Sequence, residues 1–380
     1  MIKNIKKVAS RINKAIKNNE NIILYSDADL DGTTSLLILE EAINSLGKTV
    51  SEVYFPDREK HGYGLNEVAL QMFSKKYTSA LLVVMDCGIG NFDEIILANS
   101  LGFEVILIEH HEVLEKLPKA SLIVNPKQSK DNHPFKRLTT ASLSYQLAKT
   151  MLGSKLSPSL NKVIAELAAL GTIADMMPEE DINKEVIEQG FETIFSTFRL
   201  GLAEIVALVD ENGDTPREIF QKLVSILNIT GIKNNLTESY LLLTACSCQK
   251  AQELAKKLIA DCQDRQAEIY TATGHILDKT DGSDLSFVFE GSADLRQVLT
   301  GAIASRVCNK QRKPVFIFNI GEDVSRGSVR VPSGINAVEA LHSCKDSLVM
   351  YGGHPPAAGF TVKTENLNKF KSGLATYFSN

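Results

Sequence analysis

Over the first 180 or so residues, short apolar runs rich in β-branched side chains alternate with longer stretches of helical spacing. Residues 21–25 (NIILY), 50–55, 80–85 (ALLVVM), 103–108 (FEVILI) and 121–124 predict strands, and residues 34–45, 66–74 and 91–100 predict helices between them. Strand and helix in alternation imply an α/β fold with a mostly parallel sheet covered on both faces, because each parallel crossover needs a helix to bring the chain back. Ligands of such sheets bind beyond the carboxyl ends of the strands. From about residue 184 to 281 the pattern becomes helical and polar, clearest over 216–227, 238–246 and 251–273. Alternation returns from residue 282, with LSFVFE, PVFIFNI, GSVRVP and GFTV as strand candidates and helices over 297–309 and around 337–342. The expected organisation is a parallel-sheet catalytic domain over 1–183, a helical connector over 184–281 and a smaller α/β domain over 282–380.

Composition narrows the class. Of 380 residues, 44% are hydrophobic and 23% charged, enough apolar surface to build a core and incompatible with wholesale disorder. No apolar run reaches the roughly 18 residues of a membrane span, and the basic N-terminal stretch lacks a signal peptide's apolar centre. A cytoplasmic protein without membrane association is expected. The six cysteines are scattered, so reduced, buried thiols are expected, the Cys246-x-Cys248 pair included. With 41 basic against 46 acidic residues the net charge is −5, which argues against coating nucleic acid non-specifically and leaves a local basic path open.

Polar residues gather where strands end. The run NIILYS leads directly into Asp27, Asp29 and Asp31, three carboxylates at alternate positions that lean to one side in extended geometry, with Gly32 allowing a tight turn into a helix. A single aspartate there reads as a helix cap, but three repel one another unless a cation sits among them. The next strand ends in Asp86 before a glycine turn, and the one after it in Glu109, His110 and His111. An apolar helix, VIAELAALGTIA, delivers Asp175, a charge that needs a partner. Carboxylates and one imidazole suit a pair of divalent ions, Mn²⁺ or Mg²⁺, and hydrolysis of a phosphoester is the reaction such a pair favours. In the third region, Gly352, Gly353 and His354 with Arg330 on a nearby strand have the composition of a cradle for a phosphate chain or a base.

The order DADLDGTTS, VMDCGIG, EHH, GTIADMMP and GGHPPAAGF resembles the DHH phosphoesterase superfamily and, within it, the RecJ-like single-strand exonucleases, with FPDREKHGYGLN, IVNPKQ and GSVRVPSGINAVEAL in agreement. The resemblance implies a two-metal exonuclease that degrades single-stranded DNA or RNA to mononucleotides in replication or repair. It implies that Asp29 and Asp31 ligate one metal each, that Asp86 bridges the two, and that His110 and Asp175 complete the second site, with Asp27 assisting the first. His111 is implied to contact the scissile phosphate, and Arg58, Arg330, His354 and the backbone at Gly352 and Gly353 to hold the nucleic acid. Tyr63, Phe55 and Phe360 are the aromatic candidates for base stacking.

Two departures qualify these expectations. The signature aspartate of the histidine motif is Glu109, one methylene longer, so His110 is expected in an altered orientation with activity reduced or changed. The chain also stops soon after the third region, as in compact archaeal RecJ-like proteins, some of which join replication-fork proteins such as a GINS-type complex. Rival functions are a phosphodiesterase for very short oligonucleotides or cyclic dinucleotides, and a replisome scaffold whose site has begun to decay.

Overall fold

The structure is a computed structural model and describes residues 2–113, 116–210, 213–228, 231–282 and 285–379. Its contacts divide the chain into two compact units, Met1–Cys262 and Gln263–Asn380.

The first unit is built on five parallel strands: β1 (Ile22–Ser26), β2 (Glu52–Tyr54), β3 (Ala80–Met85), β4 (Phe103–Ile108) and β5 (Leu122–Val124). They lie in the order β2-β1-β3-β4-β5. The helices are α1 (Ile5–Lys17), α2 (Leu30–Ser45), α3 (Arg58–His61), α4 (Glu67–Lys76), α5 (Phe92–Ser100), α6 (Thr140–Leu152) and α7 (Pro158–Ala174). Side chains alternate across each strand. Ile22, Leu24, Val83, Ile106 and Ile108 pack on one face with α1, α2 and α6, while Ile23, Tyr25, Leu82, Val84 and Val105 pack on the other with α4 and α5. Burial on both faces explains why the strands read as continuous apolar runs. Strand order reverses between β1 and β3, because the chain leaves β1 for β2 on one side and returns to β3 on the other. That reversal opens a crevice at their carboxyl ends.

A third layer stacks on α2, α6 and α7. It consists of α8 (Asp181–Thr193), α9 (Leu200–Val209), α10 (Pro216–Leu227), the small hairpin β6 (Ile232–Lys233) and β7 (Leu236–Thr237), α11 (Glu238–Leu243) and the first part of α12 (Cys248–Thr280). Cys246 and Cys248, expected to be buried, are exposed where α12 begins, whereas Cys87, Cys262, Cys308 and Cys344 are buried thiols. The reason is that α12 turns its apolar stripe, Ala251, Leu254, Ala255 and Leu258, inward only after its first turn.

The second unit holds β8 (Val288–Ser292), α13 (Thr300–Gln311), β9 (Val315–Asn319), β10 (Val324–Arg330), α14 (Ala337–Ser343), β11 (Leu348–His354), β12 (Ala357–Lys363) and α15 (Leu367–Ser379). Its sheet runs β11-β12-β10-β9-β8, with β8 and β9 parallel and the other pairs antiparallel. Phe289, Phe316, Phe318, Phe360 and Phe370 fill one face. Val288, Val315 and Ile317 pack on the other with α13 and the end of α12. The segment GGHPPAAGF is a hairpin. Gly352 to His354 end β11, Pro355 and Pro356 make the turn, and Ala357 starts β12. Two prolines between two strands hold the turn without needing N–H donors there.

Candidate metal centre

The three aspartates after β1 do not share one extended run, because Asp29 is extended, at φ −81° and ψ −175°, but the helix starts before Asp31. Asp29 caps α2, its Oδ1 accepting the Gly32 N–H at 3.0 Å, and Asp31 lies in the first turn of the helix. The helix thus begins four residues before the predicted start. Gly32 sits inside that turn, where a Cβ would run into the Asp27 carbonyl oxygen. Asp27 and Asp31 are 1% and 2% exposed. The carboxylate of Asp31 faces the amino end of α6, with Oδ2 accepting from Thr140 N and Oδ1 from Ala141 N, both at 2.9 Å. Orphan N–H groups and the positive end of a helix dipole are what a buried anion needs.

Asp86 leaves β3 with φ 58°, a left-handed turn that swings its side chain into the crevice. Its Oδ1 accepts the Thr140 hydroxyl at 2.9 Å and lies 3.4 Å from His110 Nε2. The same His110 nitrogen lies 3.7 Å from Oδ2 of Asp175, the residue that ends α7. Ligand-type atoms fall into three groups, each within 4.8 Å: Asp27, Asp29 and Asp86; Asp31, His110 and Asp175; and Asp86, His110 and His111. Four loops from four elements therefore converge on one crevice.

Crowding shows in the acidities. Burial, then the charge of Asp29, pushes Asp31 up to about 7. Burial, then Asp31 and Asp29, pushes Asp175 up to about 8. Asp86 is raised well above the carboxylate range by burial and by Asp31, Asp29, Asp175 and Glu109. Oδ2 of Asp175 is buried and accepts no hydrogen bond. Carboxylates this close resist joint ionisation, and divalent cations are the groups that would relieve them. The donors, oxygens with one imidazole, fit hard or borderline ions.

Glu109 turns away from this cluster. Its Oε2 accepts from His110 N and His111 N at 2.8 Å and pairs with His111 Nδ1 at 2.9 Å, and its Oε1 faces Ile89 N at 3.4 Å. The extra methylene is thus spent folding the carboxylate back onto its own loop, and His110 still reaches Asp86 and Asp175. Burial works to raise the pKa of Glu109, but the His111 charge and these hydrogen bonds lower it overall. His111 is raised despite burial, by Glu109 first among its carboxylate neighbours.

Arg58, expected among the substrate contacts, lies against the aspartates. Its Nε donates to Asp27 Oδ1 at 2.7 Å, its Nη2 pairs with Asp27 Oδ2, and Nη2 also donates to Asp29 Oδ2 at 2.8 Å. Its guanidinium carbon is 5.6 Å from the centre of the Tyr63 ring. Tyr63 donates to the Asp86 carbonyl at 2.8 Å and is 47% exposed beside His111. Phe55 and Phe360 are core residues, 0% and 4% exposed, and drop out as stacking platforms. Sequence reasoning missed Thr140 and Asn125, whose side-chain amide donates to the His111 carbonyl at 2.9 Å. The run TTAS before an apolar helix signals only a cap.

In the second unit the expected residues also gather. Across β10, β12 and β11, Arg330, Ala357 and His354 form one row, and Ser328, Gly359 and Gly352 form the next on the same side. Residues between them, Val329 and Ala358, face the core. Gly353, at φ 144°, has no room for a Cβ, which would lie 2.5 Å from the Ala357 carbonyl oxygen. Arg330 is steadied by Ser305 Oγ, which accepts from its Nε at 3.1 Å, and by the Val329 carbonyl.

Comparison with known proteins places these features. The DHH family, N-terminal domain, matches residues 21–172, and the DHHA1 domain matches residues 284–380. The single-stranded-DNA-specific exonuclease RecJ of Bacillus subtilis is 33% identical over 98% of this chain and 47% of its own length. That of Thermus thermophilus is 29% identical over 99% and 54%. The chain thus spans about half the length of these curated relatives. A crystal structure of exonuclease RecJ bound to manganese aligns with a TM-score of 0.82 at 26% identity, over 100% of this chain and 95% of that one. RecJ from Thermus thermophilus in complex with Mn²⁺ aligns with a TM-score of 0.85 at 26% identity, over 99% and 55%.

Proposed function

The chain belongs to the DHH superfamily, with RecJ-like relatives along 98% of its length, and from that premise we propose a metal-dependent exonuclease that hydrolyses single-stranded DNA or RNA to mononucleotides. The observation that carries the reading is the convergence of five aspartates and two histidines in overlapping groups of 4.8 Å at one sheet edge.

In this reading Asp29 and Asp31 would each hold one of two divalent ions, Asp86 would serve both, and His110 and Asp175 would complete the second site, with Asp27 assisting the first. Mn²⁺ is the first choice and Mg²⁺ the second. Such ions supply a hydroxide and stabilise charge during in-line displacement at phosphorus. The chain's own groups orient the reaction. With Glu109 ionised, His111 donates its Nδ1 proton to that carboxylate and turns its Nε2 edge to the scissile phosphate. Arg58, locked by the forked contact with Asp27, holds positive charge beside it. The roles of 1–183, 184–281 and 282–380 are then catalysis, connection and substrate grip. In the last, missing side chains at Gly352 and Gly359 let a sugar-phosphate backbone approach the sheet, and Arg330 and His354 flank it.

Labelled single strands incubated with Mn²⁺ test the proposal. Mononucleotides are the expected products, with a duplex of the same sequence resistant. Endonucleolytic fragments, or equal rates with and without metal, would overturn it. The same reading places the protein in the cytoplasm, in DNA replication or repair. Among the described residues no helix is long and apolar enough to cross a membrane. The family resemblance alone supports association with a GINS-type replication-fork complex, which co-purification would test.

A further inference from the structure

Thr140 is fully buried at the start of α6, and its hydroxyl does not make the local bond that Thr34 and Thr172 make. Thr34 and Thr172 turn back to the carbonyl four residues earlier, Leu30 at 2.8 Å and Ala168 at 2.7 Å, the usual local bond. Capping does not need Thr140 either. Thr139 is the cap, its hydroxyl accepting from Ser142 N at 3.0 Å. Thr140 instead donates its hydroxyl to Asp86 Oδ1 and its backbone N–H to Asp31 Oδ2, each at 2.9 Å.

Asp31 and Asp86 arrive on different elements, one at the head of α2 and the other beyond β3; the β1–β3 ladder and Ser26 Oγ, bonded to the Gly32 and Met85 carbonyls at 2.8 and 3.2 Å, align their backbones, and Thr140 bonds both side chains. Ala141 N completes the hold on Asp31, taking Oδ1 at 2.9 Å, so each oxygen of that carboxylate has one donor and its plane is fixed. A second feature belongs to the same junction. Gly171 of α7 faces it with no side chain, and a Cβ there would come within 2.6 Å of the Ala141 Cβ and 2.8 Å of Asp31 Oδ1. The missing side chain lets α7 close on the clamp and, four residues on, deliver Asp175.

We infer that Thr140 is a positioning residue that ties Asp31 to Asp86 and sets the spacing between the carboxylates of the two metal sites. The inference rests on the two-metal reading of the site. Supporting groups of this kind change metal affinity about 10- to 100-fold when removed.

The test is calorimetric titration of the metal-depleted full chain with Mn²⁺, run on the natural protein and on Thr140→Val, Thr140→Ala and Thr140→Ser. Valine keeps the shape and removes the donor, and serine keeps the donor. Valine and alanine are expected to bind Mn²⁺ at least tenfold more weakly and serine within about threefold of the natural chain. Thermal melts without metal identify any variant that has lost its fold, and the alanine-to-serine contrast decides the matter if valine does not fold. Natural affinity in the valine or alanine variant, or a serine variant as weak as alanine, would overturn the inference. A natural chain that takes up no Mn²⁺ would instead overturn the two-metal reading.

Discussion

The two units carry candidate surfaces built on opposite plans. In the first, charge is concentrated. Asp31, Asp86 and Asp175 stand at the ends of separate elements, are largely buried, and have their pKa values raised by that burial first and by neighbouring carboxylates second. In the second, side chains are withdrawn. The rows of Ser328, Gly359 and Gly352 and of Arg330, Ala357 and His354 contain no carboxylate, and β12 and β11 present glycine backbone at Gly359 and Gly352 beside the α13-backed Ser328 and Arg330. A crevice of crowded anions calls for cations, whereas a flat face of small residues edged by Arg and His calls for a polyanion. On the proposed reading, chemistry and grip are lodged in different units, so damage to one should leave the other measurable.

Breaking the first surface should have the largest effect. Asp86→Ala removes the one carboxylate that occurs in two of the three ligand groups, and Mn²⁺-dependent hydrolysis is expected to fall about a thousandfold or more, roughly 4 kcal/mol on the barrier. Single-strand affinity should survive, as read by fluorescence anisotropy. Breaking the second surface should do the reverse. Arg330→Ala is expected to weaken single-strand binding about tenfold, near 1.4 kcal/mol. It should flatten the salt dependence of binding by about 0.7 per lost phosphate contact, with Mn²⁺ uptake unchanged in calorimetry.

Acidity sharpens the contrast further. The folded chain holds protons on Asp31 and Asp175 up to about 7 and about 8, whereas an unfolded chain releases them near the ordinary aspartate value of about 4. Between those limits the folded state binds more protons, so stability falls as pH rises. The melting temperature of the chelator-treated protein should therefore drop from pH 5 to pH 8, and saturating Mn²⁺ should abolish the slope. The smallest effect is expected at Glu109. Glu109→Asp shortens a group that contacts only its own loop and Ile89, so kcat should change by less than about tenfold, while Glu109→Gln, which loses the charge paired with His111, should reduce it more.

How far each surface could be read from sequence follows from its plan. The strands over Ala80–Met85 and Phe103–Ile108 were legible to the residue, because burial on both faces leaves unbroken apolar runs that stop where the polar crevice begins. Asp27, Asp29, Asp31, Asp86, His110 and Asp175 were legible for the same reason, each following such a run or an apolar helix. Their geometry was not. The start of α2 at Leu30 depends on Asp29 capping it, and the alternate spacing of the aspartates pointed to extended chain instead. Arg58 lies against Asp27 through a contact that joins residues 31 apart, and Thr140 reaches Asp31 across 109 residues. Neither partner can be inferred from local pattern. In the second unit, the hairpin at GGHPPAAGF was hidden because glycine and proline signal a loop wherever strand propensity is weak. Only the register brings Gly352 beside Gly359 and Ser328.

The most direct test of the separation is anomalous diffraction at the manganese edge from crystals of the full chain soaked in Mn²⁺. Two peaks are predicted in the crevice, both in reach of Asp86, one beside Asp27 and Asp29 and the other beside Asp31, His110 and Asp175, with none over the face of Ser328, Gly352 and Gly359. A crevice without manganese, or an ion held by the second unit's face instead, would contradict the account.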